Sequence, residues 1–261
     1  MGKGRPSEEF IESTRKYLAG SGKLPVGFPG KQTFSAIMDI VESYLSNLET
    51  YCRAKPIKIT VDAMVGQYPL QVSLDNIYID EANRKAEMLL FHVGKAGDDS
   101  RVVIDWLLRN LALGLPEVRE LLRKKYDVET VSSTYICHEN TLAKRKVAQP
   151  FILPVPLPGA ATERLKSLFD LWKEGLETPL PFYGKSALAY IKKRYPRGQD
   201  KPGAELQAFD AAGAKWHDHK YGSDIHLEKC FSEEFPDAPD FRNRFSGITE
   251  TVFFPYLPAS V

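Results

Sequence analysis

The sequence predicts an α/β fold, and three features between positions 57 and 113 carry that expectation. Residues 57–65 alternate apolar and polar side chains, and 70–79 do the same with Asp75 in their middle. Residues 88–93 form a continuous apolar run that Gly94 ends. Alternation at period two marks a half-buried strand, and a short apolar run closed by a turn residue marks a strand covered on both faces. Helical spacing follows over 101–113, where Val102, Val103, Trp106, Leu107 and Leu111 share one face. Trp106 reads as a core anchor, because burying its large apolar area stabilises more than exposing it as a stacking platform.

The remaining elements follow from period and punctuation. Ser7 caps a short helix whose face is Phe10, Ile11, Thr14, Tyr17 and Leu18, ending near Gly20. Residues 20–30 hold four glycines and two prolines and form a loop. From Lys31 the spacing of Phe34, Ile37, Met38, Val41, Leu45, Leu48 and Cys52 predicts a long amphipathic helix that Pro56 stops. A second short helix is expected over 117–125. Runs of strand formers at 130–136 and 141–147 flank His138-Glu139-Asn140 and predict a β-hairpin turning there. Residues 150–160 carry four prolines, an extended connection that excludes a helix interior or central strand. Helical period returns over 161–177 through Leu165, Leu168, Phe169, Trp172 and Leu176. Ser186 is expected to cap a helix to Arg194, and 204–217 to form another.

This organisation divides the chain into residues 1–5, an expression remnant or frayed end, an α/β core at 6–149, the connection at 150–160, and helical segments at 161–261 packing on the core as one domain overall. The charge balance, 35 basic against 34 acidic side chains, leaves a net +1, so any nucleic-acid surface has to be a local patch. Three widely spaced cysteines, Cys52, Cys137 and Cys230, imply no disulfide framework and suit a reducing compartment. No uninterrupted apolar segment is long enough to span a membrane, which gives a cytoplasmic expectation with no membrane partner.

In a metal-dependent nuclease with this strand order, an acid on one strand and a [DE]-x-K on the next hold Mg²⁺ and orient the attacking water. Asp75 fills the first position. His92-Val93-Gly94 stands at the second, so a hard cation meets too few oxygen ligands, and Lys95 falls one residue late on the opposite face. The expectation is a nuclease scaffold with no catalytic residues and no cofactor. Trp216, His217, Asp218, His219, Asp224, His226 and Cys230 form a metal-like cluster, but their spacing matches no zinc signature. Ser132, Ser133, His138 and Glu139 lack a nucleophile elbow, and no Walker A or G-x-G-x-x-G sequence follows a strand. Two basic clusters remain as DNA-binding candidates. Lys144-Arg145-Lys146 lies on the hairpin, where Lys144 and Lys146 share a face. Lys192-Lys193-Arg194 ends a helix, where cations are also stabilising without any ligand.

Several pieces in order resemble the C-terminal region of the gamma chain of exodeoxyribonuclease V, the RecC family. They are Gly22-Lys23-Leu24-Pro25-Val26-Gly27-Phe28-Pro29-Gly30, Trp106-Leu107 with Leu111-Ala112-Leu113, and Trp172-Lys173-Glu174-Gly175-Leu176-Glu177-Thr178-Pro179-Leu180-Pro181-Phe182 followed by Ser186-Ala187-Leu188-Ala189-Tyr190. Ala214-Lys215-Trp216 and the proline-rich apolar end fit as well.

The resemblance implies a PD-(D/E)xK nuclease-like core lacking the active site. It implies a non-catalytic scaffold subunit of a helicase-nuclease that processes double-stranded DNA ends for recombinational repair, with the beta and alpha chains (RecB and RecD) as partners. It also implies a part in splitting the duplex, for which the 130–147 hairpin and the loop 23–31 with Phe28 are the candidates. Two other readings stay open: a divergent Mg²⁺ nuclease using Asp75, Glu87 or His92, and a protein–protein module without DNA contact.

Overall fold

The computed structural model describes residues 6–25, 27–51, 56–93, 100–141, 144–147, 151–196, 203–217, 230–231, 235 and 238–253. Among them, helices α1 (Glu8–Gly20) and α2 (Phe28–Tyr51) precede strands β1 (Ile57–Val65), β2 (Tyr68–Asp80) and β3 (Lys85–Val93). Helices α3 (Ser100–Gly114) and α4 (Pro116–Tyr126) lead to β4 (Thr130–Thr141), β5 (Lys144–Val147) and β6 (Phe151–Leu153). Helices α5 (Pro158–Glu177), α6 (Gly184–Arg194), α7 (Glu205–Trp216) and α8 (Pro239–Phe253) complete the described chain. The predicted α/β class holds.

The sheet is mixed. β1, β2 and β3 form an antiparallel meander, and β4 returns parallel to β3 after the α3–α4 crossover, as a parallel pair requires. β5 and β6 both pair antiparallel with β4, on the edge that β3 leaves free. One sheet face carries the main core: Ile59, Val72, Leu74, Ile77 and Met88 pack with Trp106, Leu111 and Leu122 of the crossover and continue to Phe245 and Phe253 of α8. Tyr78, Leu89 and Ile136 make a small cluster separate from it, joined by Phe91.

β2 contains a bulge. Ile57 pairs with Ile77 while Ile59 pairs with Leu74, so β2 spends one residue more than β1 over the same interval. Asn76 absorbs it at φ 55°, a left-handed conformation that Asn tolerates better than most residues. The buried positions therefore move from Val72 and Leu74 to Ile77, and Asp75 between them stays exposed.

Several sequence expectations need correction. The hairpin exists, but its reversal lies between Thr141 and Lys144: His138, Glu139 and Asn140 are held in ladder pairs with Val147, Lys146 and Arg145. α2 starts at Phe28 rather than Lys31, with Pro29 in the first turn, where its missing N–H is no loss. Phe151–Leu153 is a strand, on the sheet edge that proline-flanked sequence permits. Ser186 does not cap α6; the helix begins at Gly184 and buries Ser186, because α6 approaches α3 so closely that a Cβ at Gly184 would stand 2.6 Å from the Ser100 Oγ. The apolar stripe of α1 buries none of its residues, and Phe10 and Tyr17 are exposed. The stripe of α5 is buried at Leu165 but open at Trp172 and Leu176.

Candidate functional site

A polar cavity of about 280 Å³ opens where the β2 bulge meets β3, α3 and β4. Asp75 and Asn76 form one wall and Leu90 and Phe91 of β3 another, with Trp106 and Tyr135 among the remaining lining residues. Trp106 and Tyr135 stack with ring centroids 4.2 Å apart, and both are 2 % exposed, so they make a rigid base. Packing this pair against β3 is the structural task of the central Trp of α3.

Arg109 sets the electrostatics. Its Nη1 donates to the Asp75 Oδ1 at 3.0 Å, and its Nε donates to the Asp105 Oδ2 at 3.1 Å. Asp105 and Arg109 are four residues apart on α3 and therefore neighbours on one face, and the bulge presents Asp75 to the same guanidinium. Planar, permanently charged and rich in donors, the guanidinium suits this bridging better than an ammonium would.

On β3, the neighbours of Asp75 are the residues that share its cavity. Ile77 pairs with Met88, and the strands continue from there toward Asp75 on β2 and Leu90 on β3. The cavity accordingly gathers Leu90 and Phe91 with Asp75, whereas His92 is absent from its lining and packs parallel to the Tyr135 ring at 6.3 Å. Gly94, the last position of the sequence frame His92-Val93-Gly94, lies outside the described residues. Glu87 is engaged elsewhere: it accepts a hydrogen bond from the Thr134 hydroxyl and stands 3.7 Å from the Lys85 Nζ. Asp75, Arg109, Asp105 and Leu90 therefore form the local arrangement, of which sequence reading singled out Asp75 alone. The Asp105–Arg109 spacing and the phase break at Asp75-Asn76 were the available signals.

The basic candidates fall in two places. Lys144, Arg145 and Lys146 occupy β5 opposite Thr141, Asn140 and Glu139, so Lys144 and Lys146 share a strand phase; their side chains lie outside the described residues. Lys192, Lys193 and Arg194 form the last turn of α6. The Arg194 guanidinium lies 5.0 Å from the centroid of the Tyr195 ring, and the Tyr195 hydroxyl donates to Glu250 of α8 at 2.7 Å. Burial, together with the Glu250 carboxylate, raises the Tyr195 hydroxyl above its ordinary range and pushes Tyr190 up to about 12. The end of α6 is thus a packed helix junction as well as a cluster of cations.

In the metal-like cluster, Asp218, His219, Asp224 and His226 lie outside the described residues. His217 pairs through Nε2 with the Phe235 carbonyl at 3.0 Å, and Trp216 is buried among Phe235, Phe241 and Phe245. Among the described residues no group of three His, Cys, Asp or Glu side chains is placed to hold a metal. Phe28, in the loop candidate, is 70 % exposed, and no described helix is long and apolar enough to cross a membrane.

No curated protein matches this sequence. The family model of the RecC C-terminal domain does match, from residue 5 to residue 195, which takes in the sheet, the bulge, α3 and the helices through α6. The chain belongs to the RecC C-terminal domain family.

Proposed function

We propose that this chain is a non-catalytic, nuclease-like domain of an exodeoxyribonuclease V-type helicase-nuclease, contributing duplex contact and subunit assembly while other chains carry the chemistry. The single observation that supports this reading most is Arg109, whose guanidinium occupies Asp75 at the place where a PD-(D/E)xK enzyme would need a divalent cation. The element order supports it too: a helix, an antiparallel meander, a helical crossover and a parallel strand bring the end of β2, the middle of β3 and the base of α3 together.

Metal-assisted hydrolysis needs several oxygen ligands on one cation and a nearby group to orient water. In the cavity that holds Asp75, β3 contributes Leu90 and Phe91, hydrocarbon side chains that supply no oxygen ligand. Asp105, the other acid at hand, is already held by the same guanidinium. A cation would have to displace Arg109 and would still find a poor ligand set.

In this reading the partners are double-stranded DNA ends and the RecB and RecD chains, the domain holds no cofactor, and the setting is cytoplasmic DNA repair. Lys144, Arg145 and Lys146 on the β4–β5 hairpin are the first DNA-contact candidates, followed by Lys192, Lys193 and Arg194. Cations on a narrow two-stranded ribbon are suited to a phosphate backbone.

The test is one forked duplex, offered with Mg²⁺ at low and moderate salt. Binding that weakens steeply with salt, with no cleavage, is the expected result. Cleavage that Asp75→Ala abolishes would make the chain an enzyme instead. Retained binding to RecB or RecD without any DNA binding at low salt would make it a protein–protein module.

A further inference from the structure

The cavity around Asp75 has more hydrogen-bonding capacity than the protein uses. Arg109 takes one oxygen of Asp75 and one of Asp105. Among the described residues, the other oxygen of each carboxylate, the Arg109 Nη2 and the side-chain amide of Asn76 make no hydrogen bond. Trp106, another lining residue, is 2 % exposed, yet its indole Nε1–H is buried with no acceptor among the described residues. Buried polar groups are nearly always paired, so an unmet donor in the wall of a polar hollow points to an acceptor on a ligand.

Charge and shape narrow the class of that ligand. Two carboxylates and one guanidinium leave the cluster at net negative charge, which repels a phosphate, while the guanidinium between them repels an ammonium group. Leu90 and Val102 add apolar wall, and Trp106 and Tyr135 close the base as a stacked pair. The volume of about 280 Å³ lies just under the range, from about 300 Å³ upward, of sites for whole small molecules, so it suits one ring system without its sugar and phosphate. A neutral, flat ring with donors and acceptors along its edge meets all these conditions. Nucleobases have that chemistry: a carboxylate accepts from an exocyclic amine, and an asparagine amide both donates and accepts. With two charged acceptors at the exposed mouth, cytosine fits better than thymine, which carries a carbonyl where cytosine carries its amine.

We propose that this cavity is a pocket for one unstacked nucleobase bearing an exocyclic amine, with Asp105 and Asn76 reading its edge and the backbone phosphates remaining outside. A base from an already single strand is the natural occupant, since no pairing has to be broken to present it. The inference rests on the DNA-processing reading for the source of the strand; the pocket chemistry stands apart from it.

Oligodeoxycytidine and oligothymidine of equal length carry the same phosphates, so the ratio of their affinities for the full chain isolates the base edge. Fluorescence anisotropy should show deoxycytidine oligomers bound tighter by about fivefold or more. Asp105→Ala, which removes an exposed acceptor, and Asn76→Gly, which removes the amide while tolerating φ 55°, should each bring the ratio toward one with unchanged circular dichroism. Free deoxycytidine, titrated into nitrogen-15-labelled protein, should shift the Trp106 indole N–H resonance, and thymidine should shift it less. Salt-sensitive binding of both oligomers with equal affinity would overturn the pocket and leave the scaffold reading standing. A Trp106 shift with deoxycytidine in a protein that binds neither oligomer nor forked duplex would uphold the pocket and remove the scaffold reading. No oligomer preference and no shift with deoxycytidine, but a shift with an arginine- or lysine-containing peptide, would overturn the proposal in favour of a protein side chain as occupant.

Discussion

Arg109 and Asp75 stand 3.0 Å apart, and the same guanidinium reaches Asp105 at 3.1 Å through a different nitrogen. One side chain thus neutralises the carboxylate that the β2 bulge presents and the carboxylate that α3 presents beside it. Because the acids are 55 % and 64 % exposed and the arginine 35 %, solvent screens the network, and each pair is worth no more than ~0.2–1 kcal/mol.

Arg109→Ala should therefore cost little stability, ~1 kcal/mol or less by urea unfolding, with the loss shrinking at high salt. It should not produce Mg²⁺-dependent cleavage, since Leu90 still supplies no oxygen beside Asp75. Arg109→Lys should retain part of the stability, because one ammonium cannot present the planar fork that holds both acids. Appearance of nuclease activity in Arg109→Ala would contradict the reading of this cavity.

Asn76 offers a test of the bulge. With φ at 55°, its backbone suits Gly or Asn and penalises β-branched side chains. Asn76→Gly should be close to neutral, and Asn76→Val should destabilise by ~1–3 kcal/mol. Equal midpoints for the two variants in equilibrium denaturation would show that the bulge relaxes without strain.

The sheet and most helices could be read in the sequence because burial there follows a simple period. β1 was legible to the residue, since one face is covered and the other wet, and Trp106 was identifiable as core from its helical spacing. The cavity was harder because it depends on register. Arg109 and Asp75 are 34 positions apart, and only the folded sheet with its bulge at Asn76 gathers them with Leu90 and Phe91 around one cavity. The hairpin was misplaced by the polar string His138-Glu139-Asn140, which reads as a turn locally but is fixed in the ladder by pairing to β5. Residues 151–153 were read as connection because flanking prolines suppress the strand signal, although an edge position admits them.

Gly114 joins the α/β layer to the later helices. A Cβ there would stand 2.8 Å from the Pro156 carbonyl oxygen and 3.0 Å from the Ala161 Cβ, so α3 meets the start of α5 through a position with no side chain. Gly114→Ala should cost ~1–3 kcal/mol through backbone displacement. Ala161→Gly should recover only part of that loss, because the carbonyl contact is backbone and remains. Full recovery in the double variant by thermal melts would locate the clash at Ala161 alone.

Tyr190 and Tyr195 of the α6 end both face Glu250, at 3.4 and 2.7 Å, and both hydroxyls are raised in the fold, first of all by burial. A phenol whose folded-state pKa lies above its unfolded value keeps its proton longer in the native state. Its contribution is fully present below about pH 10 and is lost as the pH climbs toward about 12, the value reached by Tyr190. Stability should consequently fall over that alkaline window, and Tyr190→Phe should make the fall shallower relative to the parent. Lysine titration affects parent and variant alike, so the difference between their pH–stability curves isolates the tyrosine. Superimposable slopes would remove Tyr190 from the linkage.

The two basic clusters can be separated by the form of their salt dependence. A phosphate contact contributes about 0.9 to the slope of log K against log salt for duplex DNA, so neutralising a cluster that makes three contacts should flatten the slope by roughly 2 to 3. Replacing Lys144, Arg145 and Lys146 together by Gln should do this if the β4–β5 hairpin grips the duplex, and it should leave the melting temperature nearly unchanged. Lys192, Lys193 and Arg194 occupy a different environment, because they end α6 where cations favour the helix dipole and where Arg194 lies against Tyr195. Their replacement by Gln should lower stability by ~0.3–1 kcal/mol per favourable dipole interaction lost, with a smaller change in slope than the hairpin triple variant. Slopes measured by fluorescence anisotropy on a forked duplex, with urea denaturation of the same proteins, give both quantities. An unchanged slope in the hairpin variant together with a flattened slope in the α6 variant would move the DNA contact from the sheet edge to the helix junction, and an unchanged slope in both would remove it from either.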